Sequence, residues 1–287
     1  MKNLIVAPFL FITLITFSQQ PPGTEIYLFD LDVKKNKVTV SNPKNITNRP
    51  GYDNQPYFHP NKPYVYYASA DDSSRTNIHI FNYQTGTTEK FTETREREYS
   101  PTVTPDKKFI SCILQRDNGA QDLVKYPIDG GSPEIIINTL TVGYHTWIDN
   151  DKLLLFVLGQ PNTLRTYSIM ENKDLVIGEN IGRSLHKIPG FNSFSFVDKS
   201  MPDWVIKSVN PKDGSLEMIT KTIHNHEDLS WTPDRKIIMS DGEKILYWQP
   251  GNNDYILIEF PKGQSFKGIT RLAVNATGNK LAVVVSE

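Results

Sequence analysis

The 287-residue chain contains one cysteine, Cys112, which excludes an intrachain disulfide and any metal site built from several cysteines. It has no excess charge of either sign: 31 Lys and Arg stand against 32 Asp and Glu. A balanced surface gives no broad basic face for nucleic-acid phosphates and no polybasic patch for an anionic membrane. After residue 17 there is no long apolar run, so no transmembrane helix is expected in the mature chain. Phosphate-loop, zinc-protease, EF-hand and nucleophile-elbow strings are all missing. Apolar residues recur nowhere with a sustained helical period, so almost no helix is expected. Hydrophobic residues still make up 38% of the chain, enough for a packed core.

One apolar run is present, at the start. Lys2 precedes the uncharged stretch Leu4 to Phe17, and Ser18, Gln19, Gln20 and a proline pair follow. A basic start, a short apolar stretch and a small residue at its end describe a secretory signal peptide. We expect cleavage after Ser18, a single folded domain over residues 19–287, and a periplasmic or secreted location. Cys112 lies in the apolar run FISCILQ and reads as a buried, inert thiol.

The rest of the chain repeats itself. A short strand, a Pro-Asp/Asn-Lys type turn and an apolar strand recur from Pro56, Pro101, His145, Leu229 and Leu272, with a degenerate copy from His186. The apolar anchors of the first strands are Phe58, Val103, Trp147, Ile188, Trp231 and Val274, spaced by 45, 44, 41, 43 and 43 residues. Such a period matches one four-stranded propeller blade. Each unit continues with a hairpin turned by residues such as Gln84-Thr85-Gly86 or Lys212-Asp213-Gly214. The expected fold is all-β: a six-bladed β-propeller of four-stranded antiparallel blades. Two strands near the N-terminus, in Glu25 to Pro43, lack a first half, and the last unit lacks a second, so both termini should share the sixth blade. Trp147 and Trp231 should be buried between blades.

Thr104-Pro105-Asp106-Lys107-Lys108 and Trp231-Thr232-Pro233-Asp234-Arg235-Lys236 resemble the repeat of TolB-like propellers. The resemblance covers nearly all of the chain after the leader. The glycine of the repeat is replaced by Lys62, Lys107 and Arg235, and Asp149 stands where proline is usual. The resemblance implies a fold and an envelope interaction role, and it specifies no ligand.

Candidate site residues lie in the segments before each first strand. In four-stranded blades these segments emerge together around one mouth of the channel. They contribute Asp53, Glu98, Tyr144 with His145, Arg183 with His186, the run His226-Glu227-Asp228, and Arg271. Arg183 and Arg271 suit a carboxylate or phosphate, or else pair with the acids of the ring. Imidazoles and carboxylates are plausible metal ligands, but their spacing carries no signature, so no metal and no cofactor is assigned. The expectation is a non-catalytic module that binds a protein or small polar ligand at the mouth. The alternative is a lyase or hydrolase acting there on a sugar or peptide-like substrate, with Asp53, Glu98, His145 or His226 as acid and base.

Overall fold

The computed structural model describes residues 22–35, 37–73 and 75–287. The expected signal peptide therefore lies outside the described residues. Among the described residues there is no α-helix, and no helix is long and apolar enough to cross a membrane.

Strands β1 (Thr24–Lys34) and β2 (Lys37–Asn45) open the chain. Blade one is β3 (Asp53–Phe58), β4 (Tyr64–Ala70), β5 (Thr76–Asn82) and β6 (Thr87–Lys90). Blade two is β7 (Arg97–Val103), β8 (Phe109–Gln115), β9 (Gln121–Pro127) and β10 (Glu134–Ile137). Blade three is β11 (Val142–Trp147), β12 (Lys152–Val157), β13 (Thr163–Ser168) and β14 (Lys173–Glu179). Blade four is β15 (His186–Lys187), β16 (Phe194–Asp198), β17 (Val205–Val209) and β18 (Leu216–Lys221). Blade five is β19 (Leu229–Trp231), β20 (Ile237–Ser240), β21 (Ile245–Trp248) and β22 (Ile256–Ile258). The sixth blade joins β23 (Leu272–Val274) and β24 (Lys280–Ser286) to β1 and β2, in the order β2-β1-β24-β23. Its seam is antiparallel, with Glu25 opposite Val285 and Phe29 opposite Leu281.

The ring is visible in the packing. Each of six buried apolar clusters spans one pair of consecutive blades. Tyr66, Ala68 and Ile78 of blade one meet Ile110 and Cys112 of blade two, for example. Ile26, Leu28 and Val284 of blade six meet Val65 and Tyr67 of blade one, which closes the circle. Closure leaves no blade face open to water, as an open row of sheets would.

The repeat turns are built by different side chains for one purpose. Thr104 Oγ1 and Thr232 Oγ1 accept the N–H of Phe109 and Lys236 and donate to Asp106 and Asp234. In blade one His59 Nδ1 takes that place and accepts the N–H of Asn61 and Lys62. In blade three Asp149 Oδ1 accepts from Asp151 and Lys152. Lys107 and Arg235, which replace the glycine of the repeat, adopt its left-handed conformation at φ 61° and 70°.

Trp147 and Trp231 are each 9% exposed, packed between blades two and three and between blades four and five. Their Nε1 atoms donate to Ser111 Oγ at 2.9 Å and Ser195 Oγ at 2.8 Å. The two pairs occupy equivalent places in the repeat. Trp231→Ala removes the ring and leaves the buried Ser195 hydroxyl only its 3.5 Å bond to the His186 carbonyl. The expected cost is roughly 3–5 kcal/mol, read from the urea midpoint. A loss below about 1 kcal/mol would mean that the indole does not anchor the interface.

Candidate functional site

The first strand of each unit is the innermost, so six strands line one central channel. At one end the channel holds a cavity of about 120 Å³. Its wall takes Gln55, Ser100, Tyr144, Arg183, Asp228 and Arg271 from the six units, one from each. Further along the channel, past Tyr57, His145 and His186, a cavity of about 390 Å³ opens toward the repeat turns, against Trp231 and Pro233.

Asp228 is the hub of the mouth. Arg183 donates to it through Nε at 3.1 Å and Nη2 at 2.7 Å, and Arg271 Nη1 reaches both oxygens at 2.8 and 2.9 Å. Arg271 Nη2 donates to the Tyr144 hydroxyl at 2.5 Å. Gln55 Nε2 donates to the same hydroxyl at 3.2 Å, and Gln55 Oε1 accepts the N–H of Ser100 at 2.8 Å. Blades one, two, three, five and six are thus linked across the mouth, and Arg183 ties in blade four. Burial alone opposes the charge on Asp228, but the two guanidinium groups outweigh it and hold its pKa below the usual carboxylate range. Burial likewise opposes the Arg183 charge, and Asp228 holds its pKa above the ordinary value.

The other candidates take different places. Glu227 accepts the N–H of Arg183 at 2.9 Å and faces Lys199 Nζ at 3.5 Å. Together with His226 it lines a neighbouring recess of about 280 Å³, bordered also by Gly242, Gly268 and Thr270. His145 and His186 border the mouth, but each ring is bonded and kept neutral. His145 Nε2 meets Ser111 Oγ at 2.7 Å, and burial pushes its pKa down to about 3. His186 Nε2 meets Ser184 Oγ at 2.9 Å, and burial pushes its pKa down to about 4, against the pull of Asp228.

Asp53 and Glu98 are fully buried and line neither cavity. Asp53 is paired with Arg49 at 3.0 Å, and burial raises its pKa to about 6. Glu98 accepts from Thr92, Thr94 and Tyr126, and burial raises its pKa. A backbone irregularity explains the exchange. The ladder slips between Asn54 and Tyr57 and between Tyr99 and Thr102, and Gln55 and Ser100 sit there at φ 58° and 54°. These bulges turn Gln55 and Ser100 toward the channel and leave Asp53 and Glu98 behind them. The sequence does carry a trace: Pro56 and Pro101 interrupt what would otherwise be regular strands.

Among the described residues no group of three or more His, Cys, Asp or Glu side chains is placed to hold a metal ion. The mouth offers guanidinium, hydroxyl and amide groups instead, which recognise a ligand by hydrogen bonds.

Asp228→Ala leaves partly buried Arg271 without its counter-ion and Arg183 with only the more distant Glu227, at 3.7 Å. The expected loss is roughly 3–5 kcal/mol. Arg271→Ala leaves Asp228 still paired with Arg183, so its loss should be clearly smaller. Urea unfolding of both variants at pH 7 checks the ordering; equal losses would contradict Asp228 as the hub.

No protein-family model matches the sequence, and no curated protein does. Solved structures do share the fold. A protein assigned as TolB from Agrobacterium tumefaciens superposes with a TM-score of 0.71 at 13% identity, over 93% of this chain and 99% of that one. TolB from Acinetobacter baumannii gives 0.58 at 13%, over 92% of this chain and 64% of that one. An oligogalacturonate lyase in complex with manganese gives 0.56 at 11%, over 85% and 80%. The fold is therefore shared by proteins of different function, and this chain has the six-bladed β-propeller fold, similar to that of TolB.

Proposed function

We propose that the chain is an exported, non-catalytic binding module that holds a protein or small polar ligand at the channel mouth. The carrying observation is the linked set Tyr144, Arg183, Asp228 and Arg271, drawn from four blades onto one small cavity. The rigid ring aims fixed donors at one point, which suits recognition. Export rests on the leader-like first residues.

An enzyme at the same mouth needs a general acid and base within reach of one substrate. Most of the groups suited to that work are engaged in the fold, and His226 lines the neighbouring recess with Glu227 instead of the mouth cavity. Asp53 and Glu98 are buried away from the cavity, and His145 and His186 are neutral and bonded to serines. The likeness to an oligogalacturonate lyase keeps catalysis as the competing reading, since one fold hosts both.

The test is a thermal-shift screen of the intact protein against sugars, sugar acids, lactones and short peptides. Hits are then repeated on Arg183→Ala and incubated for product analysis by mass spectrometry. The expected result is a ligand that raises the melting temperature of the wild type, loses that effect in the variant and is recovered unchanged. Conversion of the ligand by the wild type would overturn the non-catalytic reading.

A further inference from the structure

The charges and unused donors of the mouth define what it takes. The cavity wall carries two guanidinium groups and one carboxylate, and its two histidines are neutral. Just outside it Glu227 approaches Arg183 at 3.7 Å, but Lys199 lies 3.5 Å from Glu227 and offsets it, so one positive charge is left over. Arg183 uses Nε and Nη2 on Asp228, so Nη1 lies outside that fork. The Tyr144 hydroxyl already accepts two hydrogen bonds, from Arg271 and Gln55, so its own proton is left to donate. Arg271 Nε is buried without a partner. Ser100 is 8% exposed, lines the same cavity, and its Oγ has no partner either. Buried polar groups are nearly always hydrogen-bonded, so the unpartnered donors Arg271 Nε and Ser100 Oγ, on residues of this wall, suit an acceptor; His145 Nδ1 of the same wall is unpartnered too.

The wall is thus rich in donors and carries one surplus positive charge. We infer that, at the mouth already proposed as a binding site, the group recognised is a single carboxylate on a small organic ligand. A carboxylate is acceptor-only and offers four lone-pair sites to the free guanidinium, hydroxyl and amide donors. The cavity of about 120 Å³ has room for such a group, and the channel continues past Tyr57, His145 and His186 into the larger space that can take the rest of a small ligand. A dianion such as phosphate matches less well, because Asp228 stands in the same wall and one surplus charge cannot neutralise two. Two non-glycine residues held in the left-handed region before prolines, Gln55 and Ser100, fit a wall shaped for function.

The experiment is calorimetric titration of the intact protein at low salt with matched probes. Galacturonate is compared with galactose, N-acetylglycine with N-acetylglycinamide, and inorganic phosphate is run beside them. At least one acid should bind roughly tenfold or more tighter than its neutral partner, the value of one charged hydrogen bond. Which pair shows the difference tells whether the carboxylate belongs to a sugar acid or to an acylated amino acid. Arg183→Gln and Arg271→Gln should each remove that preference, and Arg183, partly exposed, gives the variant safer to fold. Equal binding of acid and neutral partners, or preference for phosphate, would overturn the carboxylate and leave the mouth as a binding site. Acid binding that neither variant alters would place it elsewhere and overturn the mouth itself. No binding of either acid would also reject the inference.

Discussion

Deleting residues 24–47 is expected to abolish cooperative folding. The segment is β1, β2 and the chain after them, and it supplies two of the four strands of the sixth blade. Its loss strips Ile26, Leu28, Phe29, Leu31, Val38, Val40 and Ile46 from two interblade cores. At roughly 1.5–3 kcal/mol for each large buried side chain, the loss is at least as large as a typical total stability of about 5–15 kcal/mol. It also leaves β24 with an unpaired edge, a template for aggregation. If the deletion cannot be purified, Phe29→Ala reads the same seam. Phe29 is fully buried and meets Phe260 and Phe266 edge-on or tilted, so its truncation should cost roughly 3–5 kcal/mol. A deletion variant that melts cooperatively at the full-length temperature would contradict the closed ring.

Acid should destabilise the protein well before its carboxylates are all protonated. Burial pushes His59, His79 and His186 down to about 4 and His145 to about 3. The unfolded chain binds these protons near the ordinary value of about 6.5, and the folded chain refuses them. Stability is therefore present above about pH 6.5 and falls as the pH drops toward 4. For His145 and His186 the loss is on the order of 2–4 kcal/mol each, with less from the half-buried His79. Asp53 and Glu98 work the other way, because burial raises their pKa values, to about 6 for Asp53, so the fold takes up their protons first. Four histidines outweigh two acids, and the net slope is a loss. His59 adds a structural reason, since protonation removes the acceptor that caps the first repeat turn. Urea unfolding at pH 7, 6, 5 and 4 reads the slope, and His145→Gln should flatten it. Stability that stays level or rises from pH 7 to pH 4.5 would contradict buried neutral imidazoles.

The blade phase and the ring closure were readable because they rest on period alone. Phe58, Val103, Trp147, Ile188, Trp231 and Val274 each enter an interblade cluster or pack against one, and Glu25 to Pro43 holds most of β1, which pairs with the chain's end, and of β2, which pairs with β1. The site was readable only as a neighbourhood. Tyr144, Arg183, Asp228 and Arg271 meet at the mouth as their position before the first strands suggests. Which residue of a segment faces the channel depends on the local backbone. A one-residue slip reverses the two sides of a strand, and the bulges at Gln55 and Ser100 make that slip in blades one and two. Pro56 and Pro101 were its only sequence mark. Imidazoles mislead for another reason. A histidine beside the channel can serve the rim or the blade interface equally well, and in the case of His145 the choice was made by Ser111 on the preceding blade.

The most direct measurement of the central claim is a crystal structure of the protein purified from its native host, without added ligand. The account predicts a bound molecule in the mouth, unaltered, with an acidic group against Arg183, Arg271 and the Tyr144 hydroxyl. Ordered water alone in the mouth, or a bound molecule on another face of the propeller, would contradict it.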